Sequence, residues 1–364
     1  MKEMERATPT NQFIPNYAIP PGAVLAEHLD VHELSHTEFA RRCGRSQKLI
    51  SDIIAGKAPL EPETALQFEK VLGVDASIWL AIEGEYKLHR AREAEAHSAS
   101  ELSAWVGRFP LRHLVARGLI QQPKTEAEAV SRLLAFFRVG SVDAWHQQYR
   151  KATVAYRHSS RVKSDDVALA TWLRLGELEA EAQECSEYHE PTFRQALKDI
   201  RKLTRLEIKH ALSESRRLCN QAGVALAIVE SVPKTALSGA AWWLTPRKAI
   251  IELSGRHKSD DHLWFSFFHE AAHILLHSKK HVFADENTRN DSSKIEAEAN
   301  AWAEAILVPR NQWAEFVAST PRNEQMVRRF AEQQGIAPGI IVGMLQHHGH
   351  LPWTHLNNLK VKLG

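Results

Sequence analysis

Apolar positions recur at helical spacing over most of the chain, and the exceptions fall in one stretch. Val24, Leu25 and Leu29 make a first stripe after Pro20-Pro21-Gly22, and Thr37 to Cys43 a second that Gly44 stops. Ser46 to Ala55 makes a third, with Ser46 as N-cap and Gly56 at its end. Pro62 to Leu72, followed by Gly73, predicts a fourth helix and Ser77 to Leu88 a fifth. These short helices form a small all-α domain. Residues 90 to 220 stay helical in pattern, with breaks at Pro110, Gly118, Pro123, Gly140 and Pro191. Near Gly223 the texture changes. Val224 to Val229 and Ala249 to Leu253 are short β-branched runs bounded by Gly, Pro and Ser, and Ala240 to Leu244 is a third candidate strand. Helical spacing returns at Leu263–His277, at Ile295–Leu307 and in the tail.

The predicted fold class is therefore mainly α with a small α+β part. Residues 1–19, polar and carrying Pro9 and Pro15, read as an arm. An N-terminal domain covers 20–88, a helical linker region 89–191, a mixed domain with a small sheet 192–310, and a helical extension 311–364.

Composition narrows the class. With 44% hydrophobic and 25% charged residues the chain is an ordinary globular protein, and 364 residues point to more than one domain. No apolar run approaches the ~18 residues of a membrane span. The N-terminus lacks the apolar core of a secretory signal. Cys43, Cys185 and Cys219 are too far apart for a disulfide framework or a metal knuckle. A soluble, cytoplasmic protein with no membrane partner is expected.

The net charge of +2 hides a local asymmetry, because residues 41–58 carry Arg41, Arg42, Arg45, Lys48 and Lys57 against Asp52 alone. The same stretch, SHTEFARRCGRSQKLISDIIAGK over residues 35–57, has the rhythm of a helix-turn-helix. In that motif the start of the second helix reaches base edges while cations hold phosphates. Gln47, Lys48 and Ser51 are the candidate base readers, beside Ser46, with Arg45 and Lys57 on phosphates. The expected partner is a double-stranded DNA operator. One such helix buries little surface, so a homodimer on half-sites about 34 Å apart is expected. A second basic stripe, Arg194, Lys198, Arg201, Arg205 and Lys209, reads as a solvated helix face.

Residues 269–273 read His-Glu-Ala-Ala-His. On a helix, His269 and His273 share one face and can meet one Zn²⁺, while Glu270 can take a proton from the attacking water. The preceding run Leu263 to Phe268 is apolar enough to bury the helix, where unpartnered histidines are costly. Glu296 and Asn300 follow at i and i+4: a third ligand and a polar neighbour that could orient a ligating histidine. Glu298 is the rival third ligand. His277 reads as a packing residue. All five tyrosines precede the motif, which leaves His347, His348 or His350 to assist an oxyanion.

At this point both ends resemble known families. PPGAVLAEHL with LSHTEFARRCGRSQKLISDIIAGKAPLEPETALQFEKVLGVDASIWLAIEGEY is similar to the HigA-type branch of the XRE (Cro/cI-like) helix-turn-helix regulators, over residues 20–88. FFHEAAHILLH and EAEANAWAEAILVP resemble the ImmA/IrrE zinc metallopeptidases, over roughly residues 195–310, with Trp302 where Phe is more usual. GIAPGIIVGMLQHHGHLPW is similar to the tail of proteins that fuse the two modules. The resemblance implies a gluzincin-like site on His269, Glu270, His273 and Glu296. It also leaves three readings open. The first is a regulator whose zinc endopeptidase cleaves a regulatory protein. The second is an antitoxin that represses its own operon and sequesters a toxin. The third is a plain protease.

Overall fold

Serine side chains start the second and third helices, Ser46 as its position in the sequence predicts. Ser35 Oγ accepts the amide of Glu38 at 3.2 Å and Ser46 Oγ that of Leu49 at 3.1 Å. Helix α1 covers Pro21–Val31, α2 His36–Cys43, α3 Gln47–Ile54, α4 Pro62–Leu72 and α5 Ala76–Ala99. Gly44 and Gly73 end α2 and α4 at φ 63° and 75°. In this computed structural model, residues 17–99, 102–149, 165–235, 237–254, 259–277, 289–319 and 323–363 are described. The arm predicted over residues 1–19 lies, up to residue 16, outside them.

The chain divides into two units, residues 1–104 with 124–130, and residues 105–123 with 131–364. The first unit buries Leu25, Leu29, Phe39, Ile50, Ile53, Phe68 and Trp79. Phe68 packs tilted against Phe39 at 5.0 Å and edge-on to Trp79 at 5.6 Å. Helix α1 crosses the end of α3 so closely that a Cβ on Gly22 would stand 2.3 Å from the carbonyl oxygen of Ile53. Helix α5 continues well past Leu88, where its apolar stripe ends. The sequence there has no Gly or Pro stop, and Glu83–Lys87 and His89–Glu93 pair at i,i+4.

The short helices α6 (Ser103–Val106), α7 (Leu111–Ala116) and α8 (Glu126–Phe137) follow. In the second unit Trp105, Phe109, Phe137, Trp145 and Tyr149 form a cluster of ring contacts. Next come α9 (Asp166–Glu181), α10 (Glu190–Leu203), α11 (Ile208–Gln221) and the strands β1 (Val224–Ile228), β2 (Gly239–Thr245) and β3 (Lys248–Leu253). The sheet order is β1-β3-β2, with β3 parallel to β1 and antiparallel to β2. Alternation puts Ala249, Ile251 and Leu253 with Val224, Leu226 and Ala241 into the main core. That core also takes Trp264, Phe267, Phe268 and Ala271 of α12 (Asp260–Leu276). The alternate residue Glu252, fully buried, meets Gly176 of α9, where any Cβ would collide with its carboxylate. The remaining helices are α13 (Arg289–Leu307), α14 (Arg310–Ala318), α15 (Glu324–Gln334) and α16 (Pro338–His347). No described helix is long and apolar enough to cross a membrane.

Two long-range links hold the metal-motif helix and its neighbour. Arg201, expected on a solvated face, instead turns inward. Its Nε donates to the carbonyl of Ile306 at 2.7 Å and its Nη2 to that of Leu307 at 2.7 Å, which caps the end of α13. At the start of α12, Asp260 Oδ1 accepts the amide of Val361 at 2.9 Å, and Lys360 Nζ lies 2.7 Å from Asp261. Gly339 and Gly343 of α16 leave room for these two carboxylates.

Candidate metal centre and nucleic-acid interface

The i,i+4 spacing on α12 sets the two histidine rings beside each other, with Nε2 of His269 and Nε2 of His273 3.1 Å apart. Helix α13 packs alongside and brings Glu296 to both: Oε2 is 3.2 Å from His269 Nε2 and Oε1 is 3.5 Å from His273 Nε2. Four ligands at ~2.0–2.1 Å in a tetrahedron stand ~3.3–3.4 Å apart, so the donor set fits a metal of zinc size. One ligand atom from each of the three residues falls within 4.8 Å of the others, forming a group that could hold a metal ion. All three side chains are half-buried, so the group keeps an open side.

The outer nitrogens are also engaged. His269 Nδ1 is 2.9 Å from Oδ1 of Asn300, one turn beyond Glu296 on α13. His273 Nδ1 is 3.0 Å from Nδ1 of His277. Glu298, the rival ligand, is not brought to the histidine pair: its carboxylate lies 3.6 Å from His277 Nε2 and 3.9 Å from Lys294. The sequence favours a packing role for His277 over that of a further ligand. Its spacing from His273 repeats that of His269 from His273, and this was the available sign of a polar role.

Glu270 sits inside the protein wall. It is 8% exposed and faces Gly239 at the start of β2, where a Cβ would come within 2.7 Å of its Oε1. Burial pushes its carboxyl up to about 7, with His269 pulling it down and Glu296 adding to the rise. The histidines diverge. Burial, then the neighbouring His269 and His277, draws His273 down to about 3. Burial also lowers His269, but the hydrogen bond and charge of Glu296, with the charge of Glu270, leave it raised. Of the three later histidines, His348 Nε2 is 3.0 Å from Oε1 of Glu304. His347 packs on Phe265, whose ring packs in turn on His269.

In the first unit the candidate DNA-facing residues lie around the start of α3. Ser46, Gln47, Lys48 and Lys57 are exposed, and Ser51 is half-buried. Ser46 is occupied as the N-cap, which leaves the following amides at an exposed helix start. Arg45 is half-buried and donates through Nε to Gln67 Oε1 at 2.5 Å, so its guanidinium is held in place from behind.

Two comparisons with known proteins bear on this chain. The Peptidase M78 family model, described as the IrrE N-terminal-like domain, matches residues 219–335. That span runs from the end of α11 through the sheet to α15 and contains all three residues of the metal group. Over 73 residues the chain is 33% identical to an uncharacterized HTH-type transcriptional regulator, YddM, of Escherichia coli strain K12; the match covers 20% of this chain and 78% of that protein. The chain thus belongs to the HTH-type transcriptional regulators, and its residues 219–335 match the IrrE N-terminal-like domain.

Proposed function

We propose that this protein is an operator-binding transcriptional regulator with a zinc-dependent endopeptidase domain that cleaves a regulatory protein. The observation that carries the peptidase half is the convergence of His269, His273 and Glu296 at tetrahedral-edge distances beside the buried Glu270. Zinc is the metal this His₂Glu set suits. When bound it supplies Lewis acidity toward a peptide carbonyl and toward the attacking water. Glu270 then acts as general base: its carboxylate accepts a proton from that water and returns it to the leaving amine. The buried wall formed with Gly239 raises the proton affinity of this carboxylate. Asn300 Oδ1 accepts the Nδ1 proton of His269, which leaves Nε2 with a lone pair for the metal.

The DNA half rests on the regulator relative and on the exposed start of α3. Gln47, Lys48 and Ser51 read bases, while Arg45, Ser46 and Lys57 contact the backbone, in a homodimer on two half-sites. The protein acts in the cytoplasm. A purely sequestering role, as in a HigA-like antitoxin bound to a toxin, makes no use of the buried Glu270, and this favours chemistry over scaffold.

The test is Glu270→Gln. The variant is expected to bind zinc at close to one per chain, as wild type does, and to lose hydrolysis by roughly 10²–10⁴-fold. Cells expressing equal amounts of wild type and variant are compared by terminal-peptide proteomics. Identical cleavage patterns would overturn the peptidase reading.

A further inference from the structure

The two histidines of the metal group are backed by different chemistry. His269 meets a neutral amide oxygen, whereas His273 meets a second imidazole, one helical turn on, that faces a carboxylate. On the reading of His269, His273 and Glu296 as metal ligands, we propose that His277 and Glu298 are positioning residues that fix the tautomer and ring orientation of His273.

The proton count along the row admits one arrangement in which His273 ligates through Nε2. A neutral imidazole carries its proton on one nitrogen only. With Nε2 of His273 given to the metal, its proton is on Nδ1 and donates to His277 Nδ1 across 3.0 Å. His277 Nδ1 is then the acceptor, so its own proton sits on Nε2, the nitrogen that stands 3.6 Å from Glu298 Oε2. At that distance the last contact is electrostatic attraction rather than a hydrogen bond. The His277 side chain is only 9% exposed. Glu298 is 49% exposed and carries the row out to the surface beside Lys294. A carboxylate behind the imidazole raises the basicity of the ligand it supports. Glu298 thus serves the metal from outside the ligand set, at the spacing where the sequence left it a rival to Glu296.

Zinc affinity measures this directly. The full-length chain is stripped of metal and titrated in competition with a chromogenic chelator, as wild type, His273→Ala, His277→Phe, His277→Gln and Glu298→Gln. His277→Phe keeps a ring in the same space but removes the acceptor, and is expected to weaken zinc binding by about 10–100-fold. His277→Gln, whose side-chain oxygen can accept the Nδ1 proton, is expected to recover most of that loss, and Glu298→Gln to lose less than His277→Phe. A merely structural His277 would predict Gln to be no better than Phe. Zinc binding by His277→Phe within about twofold of wild type would overturn the proposal. Where His277→Phe does not fold, long-range ¹H–¹⁵N correlation on zinc-loaded wild type decides. An Nδ1-protonated His273 supports the proposal, and an Nε2-protonated one overturns it. If His273→Ala binds zinc as well as wild type does, the metal reading itself fails and this proposal falls with it.

Discussion

Gln47 and Lys57 are both exposed and carry different chemistry, so their removal should have different consequences. A side-chain amide can pair in both directions with an adenine edge, whereas an ammonium on a phosphate carries no sequence information. Gln47→Ala is expected to change which operator variants are preferred, at about 1–3 kcal/mol for the base it reads. Lys57→Ala should weaken binding to all sequences and lower the salt slope by about one. Anisotropy titrations over a range of salt, against the DNA upstream of its own gene and a randomised control, check both. A Lys57 effect confined to one sequence would show that the assignment is wrong. His269 with His273, and Glu296 with Asn300, lie at i,i+4 on two helices, a relation visible in sequence, and the structure brings the four side chains together. The residue-level reading was incomplete for His277, because a ring at the right spacing is a packing residue or a polar one according to where its nitrogens point.

Helices were legible wherever caps and stops are local. Ser46 caps as expected, and Gly44 and Gly73 end their helices in the left-handed conformation. Helix α5 was underestimated because its end was placed where the apolar stripe stops, while alanines and i,i+4 pairs sustain a polar helix beyond it. Arg201 was misjudged for another reason: the carbonyls it caps are more than a hundred residues away, and no local pattern encodes them. A residue chosen for an inter-helix contact is Gly22. Because a Cβ there would meet the Ile53 and Ile54 backbone, Gly22→Ala must push α1 away from the end of α3. Overpacking of this kind costs roughly 1–3 kcal/mol. A melt of the variant that matches wild type would show that α1 yields without cost.

Across the second unit, Glu252 stands apart, since the central strand buries it completely with neither carboxylate oxygen partnered within the described residues. Burial first, then the charges of Glu179 and Glu177, raises its carboxyl well above the ordinary 4.5. The native state therefore keeps a proton that the unfolded chain releases, and stability falls as pH rises from about 4.5 toward the folded value. Glu252→Gln removes that slope. Its melting temperature is expected to exceed that of wild type by a margin that grows above pH 4.5 and vanishes below it. A margin independent of pH would refute the assignment.

The clamp of Val361 on Asp260 and of Lys360 on Asp261 has a consequence for the order of events in time. A ribosome emits the motif helix about a hundred residues before the groups that tie down its first turn. Until then the two acidic side chains at the helix start lack these partners. Completion of this unit thus waits for residues 360 and 361, and chains truncated before residue 360 should be cut by protease near residue 260 where the full-length chain resists.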